Sequence, residues 1–472
     1  MDPMTNAADA AAGEPPLLAV AGTVIHTPEL GVIEILEDAV VTVGEDGRIE
    51  RVIEADDPAR EATIEAAAAA GRLTLLRAGQ YLLPGLVDLH VHAPQWPQIG
   101  KALHLPLEQW LANCTFPLEA RYADLEFAAR SYGGLVDTLL ANGTTTALYF
   151  GSVHLGATQL LADLCHAKGQ RALVGKVVMD DPTLCPDYYR DASATIAVAE
   201  TEMFIEHVQR LAGPEGRVRP VITPRFIPAC TNAALEELGR LARQTGLHVQ
   251  THCSESDWEH DFVRHRLGAT DTRSLEAFGL LGRRTILAHS NFICDDDMDA
   301  IGGCGAGIGH CPLSNAYFSN AVFPLAQALE KKLHVGLGTD ISGGPDASIF
   351  SACRHAIAAS RMLADGVDAR IAPDKRGRPG AAIDFAEAFW LATAGGGIAL
   401  DLPIGVIAPG FAFDAMVIDT TVPDADLTLW PDLDEPEDVL QRIVYGAARA
   451  NVRRVWVDGI TVVDKDAGLD WS

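Results

Sequence analysis

The sequence predicts an α/β protein, a (β/α)8 barrel of the TIM type with a small composite β-sandwich formed from both chain ends. Three observations predict it. Eight short apolar runs alternate with stretches able to form helices, which implies βαβ units and a parallel sheet. Candidate chemical residues stand at or just past the ends of four of those runs, where a closed barrel gathers strand ends at one mouth. β-type texture marks both ends of the chain.

Taken in order, residues 17–53 give runs such as LLAVAGTVIH and AVVTVG, broken by the turn signal EDGRI. The eight barrel runs follow as LLPGLVDLHVH, TTTALYF, RALVGKVVM, RVRPVITPRF, LHVQTHCSE, TILAHSNF, AGIGHCP and HVGLGTD. FDAMVID and RVWVDGITVVD repeat the early texture, with Asp-Gly marking another hairpin. The expected boundaries are 15–80 and 401–472 for the two parts of the sandwich and 81–400 for the barrel. The acidic segment PDADLTLWPDLDEPEDVL, 423–440, reads as an exposed loop or an oligomer contact. A doubly wound open sheet is the structural rival, but no Gly-rich dinucleotide fingerprint follows an early strand, and the chemical residues are spread over runs one, five, six and eight.

Composition narrows the function. The 472 residues exceed the ~250 of a bare barrel by enough for one small domain. With 36 basic against 64 acidic residues, the formal charge of −28 disfavours nucleic acid and anionic membrane partners. Nine cysteines without a CxxC pair suit a reducing compartment. The start MDPMTNAADAAAGEPP lacks the pattern of a signal peptide, and the alanine run at 66–71 is too short to cross a bilayer. A soluble cytoplasmic protein is expected.

In a strand, residues i and i+2 share a face, so His90 and His92 can both look into the barrel mouth. A lone HxH is usually structural; here it ends an apolar strand and has company. His252 would supply a third imidazole nitrogen and Asp340 an oxygen, a donor set that zinc favours with one position left for water. Glu255, three residues after His252, suits a proton carrier better than a further ligand, its plainer role being a first-turn helix carboxylate. His289 could hold an attacking hydroxide or be a satisfied core histidine. Asp340 alone could be a helix N-cap. One shared site explains all of these residues in this order with fewer coincidences.

PGLVDLHVH, THCSES, LAHSN, HCPLSN and GLGTD resemble the amidohydrolase superfamily. HLPLEQWLANCTFPLEARY, NGTTTALYF, VGKVVMD and TPRF resemble its guanine deaminases, the likeness running over about residues 80–400. The resemblance implies one zinc, with iron(II) the alternative, held by His90, His92, His252 and Asp340. It implies a proton-shuttling Glu255, and Asp340 and His289 orienting the hydroxide. It further implies that Gln95 and Arg225 contact a purine, with Phe226 beside the base. Arginine donates in a fork to a carbonyl, and glutamine offers donor and acceptor to a ring edge; the plainer readings are a surface arginine and a solvated loop glutamine. The implied reaction is attack of zinc hydroxide on C2 of guanine, giving xanthine and ammonia in purine catabolism or salvage, by a cytoplasmic homodimer.

The chain departs from the family pattern at Trp96, where tyrosine is usual, at Ser290 in place of glycine, and at Leu313 in place of asparagine. Binuclear relatives carry a modified lysine at the end of the fourth strand; the fourth run ends in TPRF, and Lys176 lies in the third, which favours one metal. The cytidine-deaminase zinc signature is absent. Two alternatives stay open, an aminohydrolase of another ring such as 8-oxoguanine, a pterin or a triazine, and a non-catalytic scaffold of the same fold.

Overall fold

The computed structural model describes residues 16–213 and 216–467. The amino-terminal stretch read for a leader lies outside the described residues, apart from Pro16.

The first five strands, β1 (Leu18–Glu29), β2 (Val32–Val43), β3 (Ile49–Ile53), β4 (Leu73–Leu75) and β5 (Gln80–Pro84), belong to the small sheet. The eight apolar runs then form β6 (Leu86–His92), β7 (Thr144–Phe150), β8 (Arg171–Gly175) with its continuation β9 (Val177–Val178), β10 (Val218–Pro224), β11 (His248–Cys253), β12 (Thr285–His289), β13 (Gly307–His310) and β14 (His334–Leu337). β15 (Ala415–Asp419), β16 (Val452–Val457) and β17 (Ile460–Asp464) return to the small sheet, whose order is β17-β16-β15-β5-β1-β2-β3 with β4 beside β1.

The barrel strands pair in parallel in chain order, and every residue of β6 and β7 is buried, as expected of strands covered on both faces. The ring closes just beyond β14, where Val91 bridges Ile341, the Asp340 N–H donates to the His90 carbonyl (2.8 Å) and the His92 N–H to that of Ile341 (2.9 Å). The closing seam therefore runs through three of the candidate ligands. Below them the interior is solid: Val87, Leu89, Leu148, Leu173, Val221 and Ile286 pack with the 399–404 segment. Gly175 is needed in this filling, because a Cβ there would sit 1.8 Å from Thr223 Oγ1.

Antiparallel pairing of β5 with β15 joins the two chain ends into one sheet, with Val20, Val41, Leu82, Phe413 and Trp456 in its core. Asp458 and Gly459 both have positive φ (48° and 73°), the requirement of the two-residue turn joining β16 to β17. The acidic 423–440 segment is only partly loop. Trp430 and Leu433 are exposed, but helix Pro436–Gly446 begins inside it, with Glu435 and Asp438 forming a capping box and Leu440 buried. Its Glu-Pro-Glu-Asp start is acidic because helix N-termini favour that composition. All nine cysteines are free, and no helix among the described residues is long and apolar enough to cross a membrane.

Candidate active site

Strand ends deliver His90, His92, His252, His289 and Asp340 to one point, and the loop after β11 adds Glu255; all six are buried. His90 Nε2 lies 3.3 Å and His92 Nε2 3.6 Å from Asp340 Oδ1. His289 Nε2 is 3.7 Å from Glu255 Oε1 and 3.9 Å from Asp340 Oδ2. Ligand atoms of the triads His90, His92, Asp340; His90, His252, His289; and Glu255, His289, Asp340 each fall within 4.8 Å of one another. Asp340 caps no helix, since the next one starts at Ile349 behind Ser348, and Glu255 precedes Ser256, the cap of helix Asp257–Leu267.

The donor chemistry fits a divalent cation. His252 Nδ1–H donates to the Arg225 carbonyl (2.6 Å), so Nε2 is left as a bare lone pair, 2.9 Å from His92 Nε2. Two bare imidazole lone pairs at that separation repel, so either a proton on His92 Nε2 or a cation lies between them. Both ring nitrogens of His90 and Nε2 of His289 are buried without a hydrogen bond. Burial, reinforced by the other positive groups around them, pushes His90, His92 and His252 well below the usual imidazole range, so they present the neutral, ligating form. Burial raises Asp340 and lifts Glu255 to about 8, with Asp340 adding to the Glu255 shift.

The supporting contacts are specific. Phe150 packs with its ring centroid 4.8 Å from those of His90, His92 and His252. Asp88 accepts from the His90 N–H, the Thr339 N–H and the Thr339 hydroxyl, pinning the barrel seam under the cluster. Asn315 Oδ1 accepts from His289 Nδ1 (3.0 Å), leaving Nε2 facing the cluster, and Asn315 in turn donates to Asn291, which donates to the Glu255 carbonyl.

A narrow cleft opens beside the cluster. Gln95, Arg225 and Phe226 line it, together with Leu107, Trp110 and Leu111 from the segment after β6 and Phe318 from helix Pro312–Phe318. Arg225 and Gln95 are 3% and 2% exposed, which rules out the surface-arginine and solvated-glutamine readings. Both are bound to one carboxylate, Glu119: Arg225 donates Nη1–H to Oε2 (2.6 Å) and Nη2–H to Oε1 (3.2 Å), and Gln95 donates Nε2–H to Oε1 (2.8 Å). Of the departures from the family pattern, Trp96 packs against the core outside the cleft, Leu313 is buried in helix Pro312–Phe318, and Ser290 has a left-handed φ of 58°.

The amidohydrolase family model matches residues 81–462. The chain belongs to the amidohydrolase family. This amidohydrolase is 34% identical to the guanine deaminase of Mus musculus over 96% of its own length and 98% of the relative's. Its fold matches the crystal structure of a C. acetobutylicum guanine deaminase with guanine bound in the active site, with a TM-score of 0.82 at 29% identity over 94% and 99% of the two chains. An adenosine deaminase from Xanthomonas campestris, solved with bound zinc, matches with a TM-score of 0.77 at 25% identity over 97% and 95%.

Within this amidohydrolase the sequence reading left Glu119, Asn315, Asp88 and Phe150 without roles. The signal for Glu119 was present, since it stands in the TFPLEARY stretch that carries the family likeness. As a glutamate with no ligand-type spacing it reads as an ordinary helix carboxylate.

Proposed function

We propose that the protein is a guanine deaminase that hydrolyses the exocyclic C–N bond at C2, converting guanine to xanthine and ammonia. The observation that carries this is the placing of Gln95 and Arg225 in the same cleft as the His/Asp cluster and Glu255. The mouse relative and the guanine-bound structure add support. A scaffold without catalysis would gain nothing from burying six such groups together.

In this reading His90, His92, His252 and Asp340 hold one divalent cation. Zinc is favoured by the three-nitrogen, one-oxygen donor set and by the Xanthomonas relative, with iron(II) the alternative. When bound, such a cation acidifies a water toward a pKa of ~7 and so supplies the nucleophile at neutral pH. Asp340 Oδ2 and His289 Nε2, 3.9 Å apart, face the same space, and the nucleophile is aimed by donating the one hydrogen it keeps to an acceptor of this pair. Glu255 moves a proton from the water to the ring nitrogen beside C2 as that carbon becomes tetrahedral. It then carries the remaining hydroxyl proton to the amine, which leaves as ammonia while the carbonyl of xanthine forms. Gln95 and Arg225 hold the ring edge and Phe226 packs beside the base.

The enzyme would act in purine catabolism or salvage, in the cytoplasm, where its free cysteines are at home, and as a homodimer. The reaction is tested by ammonia release from guanine, 8-oxoguanine, adenine, cytosine and a pterin with metal-replete protein. Guanine conversion well above the others is expected. Activity confined to another ring would keep the hydrolytic chemistry and overturn the substrate.

A further inference from the structure

Glu119 is buried, does not line the cleft, and yet binds both groups assigned to the purine edge. Its geometry decides what those groups have left to offer. Gln95 Oε1 accepts from the Ser342 N–H (3.1 Å), which can only donate, and Gln95 Nε2 donates to the Glu119 carboxylate, which accepts. The amide therefore has one permitted orientation, with one N–H and one lone pair still free. Arg225 gives two N–H groups to Glu119, points a third at Met179 Sδ (3.8 Å), and stands with Cζ 5.2 Å from the Phe116 ring centroid, one turn before Glu119. Its guanidinium is held on two sides, and its charge is matched by the carboxylate before any substrate arrives. The edge that remains is overall uncharged and carries N–H donors at fixed positions, which suits a neutral ring bearing a carbonyl oxygen.

We infer that Glu119 is a positioning residue that sets the selectivity of the cleft for a neutral, carbonyl-bearing purine edge by locking Gln95 and Arg225. The inference rests on the guanine deaminase reading. A glutamine at 119 keeps the volume but returns one Arg225 N–H and the Arg225 charge to the pocket.

The test compares guanine with 2-aminopurine, which keeps the amine at C2 but lacks the carbonyl oxygen at C6. Turnover is read for both, or competitive inhibition of guanine turnover where 2-aminopurine reacts too slowly. A site built around such a hydrogen bond rejects the analogue lacking it by about 10⁴-fold, so Glu119→Gln is expected to lower the preference by about 10²-fold. The loss should fall on KM for guanine more than on kcat, with bound metal unchanged. Equal losses on both purines with the preference intact would overturn the inference, as would no loss at all. Because Glu119→Gln leaves a buried arginine unpaired and could prevent folding, Glu119→Gln is also compared in an Arg225→Gln background. There it should cost at least tenfold less in preference than in the wild type; an undiminished cost would mean that Glu119 does not act through Arg225. Wild-type protein silent on both purines would refute the functional reading, whereas active wild type with an unaltered Glu119→Gln preference would refute only the role of Glu119.

Discussion

Burial and the neighbouring Asp340 lift the Glu255 carboxyl to about 8, close to the pH at which it must exchange protons. A group that both gives and takes a proton works best when its pKa lies near the operating pH. Glu255→Gln keeps the shape and cannot shuttle, so kcat for guanine should fall roughly 10²–10⁴-fold or more with bound metal unchanged by elemental analysis. Near-normal turnover, or loss of metal, would remove Glu255 from this role. Backbone strain is stored at the same mouth: Ser254, His289, Ser290 and Asp340 all have φ between 47° and 68°. For a residue with a Cβ this region costs roughly 1–2 kcal/mol. Ser290 bears it with an unpartnered, buried hydroxyl, and the glycine usual in the family would avoid both penalties. Ser290→Gly recovers the strain less about 0.4–1 kcal/mol of extra unfolded-chain entropy, so a net gain of roughly 1 kcal/mol is expected in urea denaturation, with kcat within about twofold. A destabilised variant would mean that the serine side chain packs better than its geometry suggests. The residue letter marked position 290 as unusual, but the left-handed φ that explains the glycine preference is a backbone property no single sequence prints.

At the scale of elements, the loop leaving β11 is held from behind by two acids. The Glu255 N–H donates to Glu259 Oε2 (2.7 Å) and the Ser254 hydroxyl to Asp271 Oδ2 (3.0 Å). Glu259 Oε1 and Asp271 Oδ1 are both buried with no donor, which one shared proton would satisfy. Burial, with the charges of Asp271 and Glu255 adding to it, raises Glu259 well above its ordinary 4.5, and burial lifts Asp271 to about 6 against the lowering effect of its hydrogen bonds with Ser254 and Glu259. A raised carboxyl stabilises fully below its unfolded pKa, and that contribution is lost as pH rises toward the folded value. While Glu259 stays protonated in the fold and ionised in the unfolded chain, the wild type should lose about 1.4 kcal/mol per pH unit above about pH 4.5 from this group. Glu259→Gln can accept from Glu255 and donate to Asp271 without a proton from solution. Its stability relative to wild type, measured by urea denaturation from pH 5 to 8, should therefore climb with pH; a constant difference would show that Glu259 is already ionised in the fold. The eight barrel strands were legible because each is an apolar run buried on both faces. The segment between β6 and β7 was not, because its short helical turns take their shape from distant partners, as Trp110 does from Phe318 at a 5.0 Å ring separation.

Across the whole molecule, the two ends of the chain were recognisable as β-rich, but their joining through β5 and β15 depends on a register between residues more than 300 positions apart. The barrel and the small sheet are tied by charge at the face opposite the cleft. Arg171, the first residue of β8, donates Nε–H to Asp414 Oδ2 (2.7 Å) and Nη2–H to Asp414 Oδ1 (3.1 Å), and also pairs with Asp458 in the β16–β17 turn. Asp414 binds the turn as well, accepting from the Asp458 N–H at 2.9 Å. Such a pair adds little over apolar packing, yet breaking it strands a charge out of water at a cost of about 3–5 kcal/mol. Asp458 keeps part of the compensation for Arg171, so Asp414→Asn should cost about 3 kcal/mol, the lower end of that range. Because the tie lies at the amino ends of the strands and the chemistry at their carboxyl ends, kcat/KM for guanine well below the melting transition should stay within about threefold of wild type. The loss of stability should also persist in 1 M salt, where exposed pairs are screened within about 3 Å and a dry one is not. A variant that lost activity while keeping its melting temperature would show instead that the small sheet acts on the cleft through the barrel, and that the two ends of the strands are not independent.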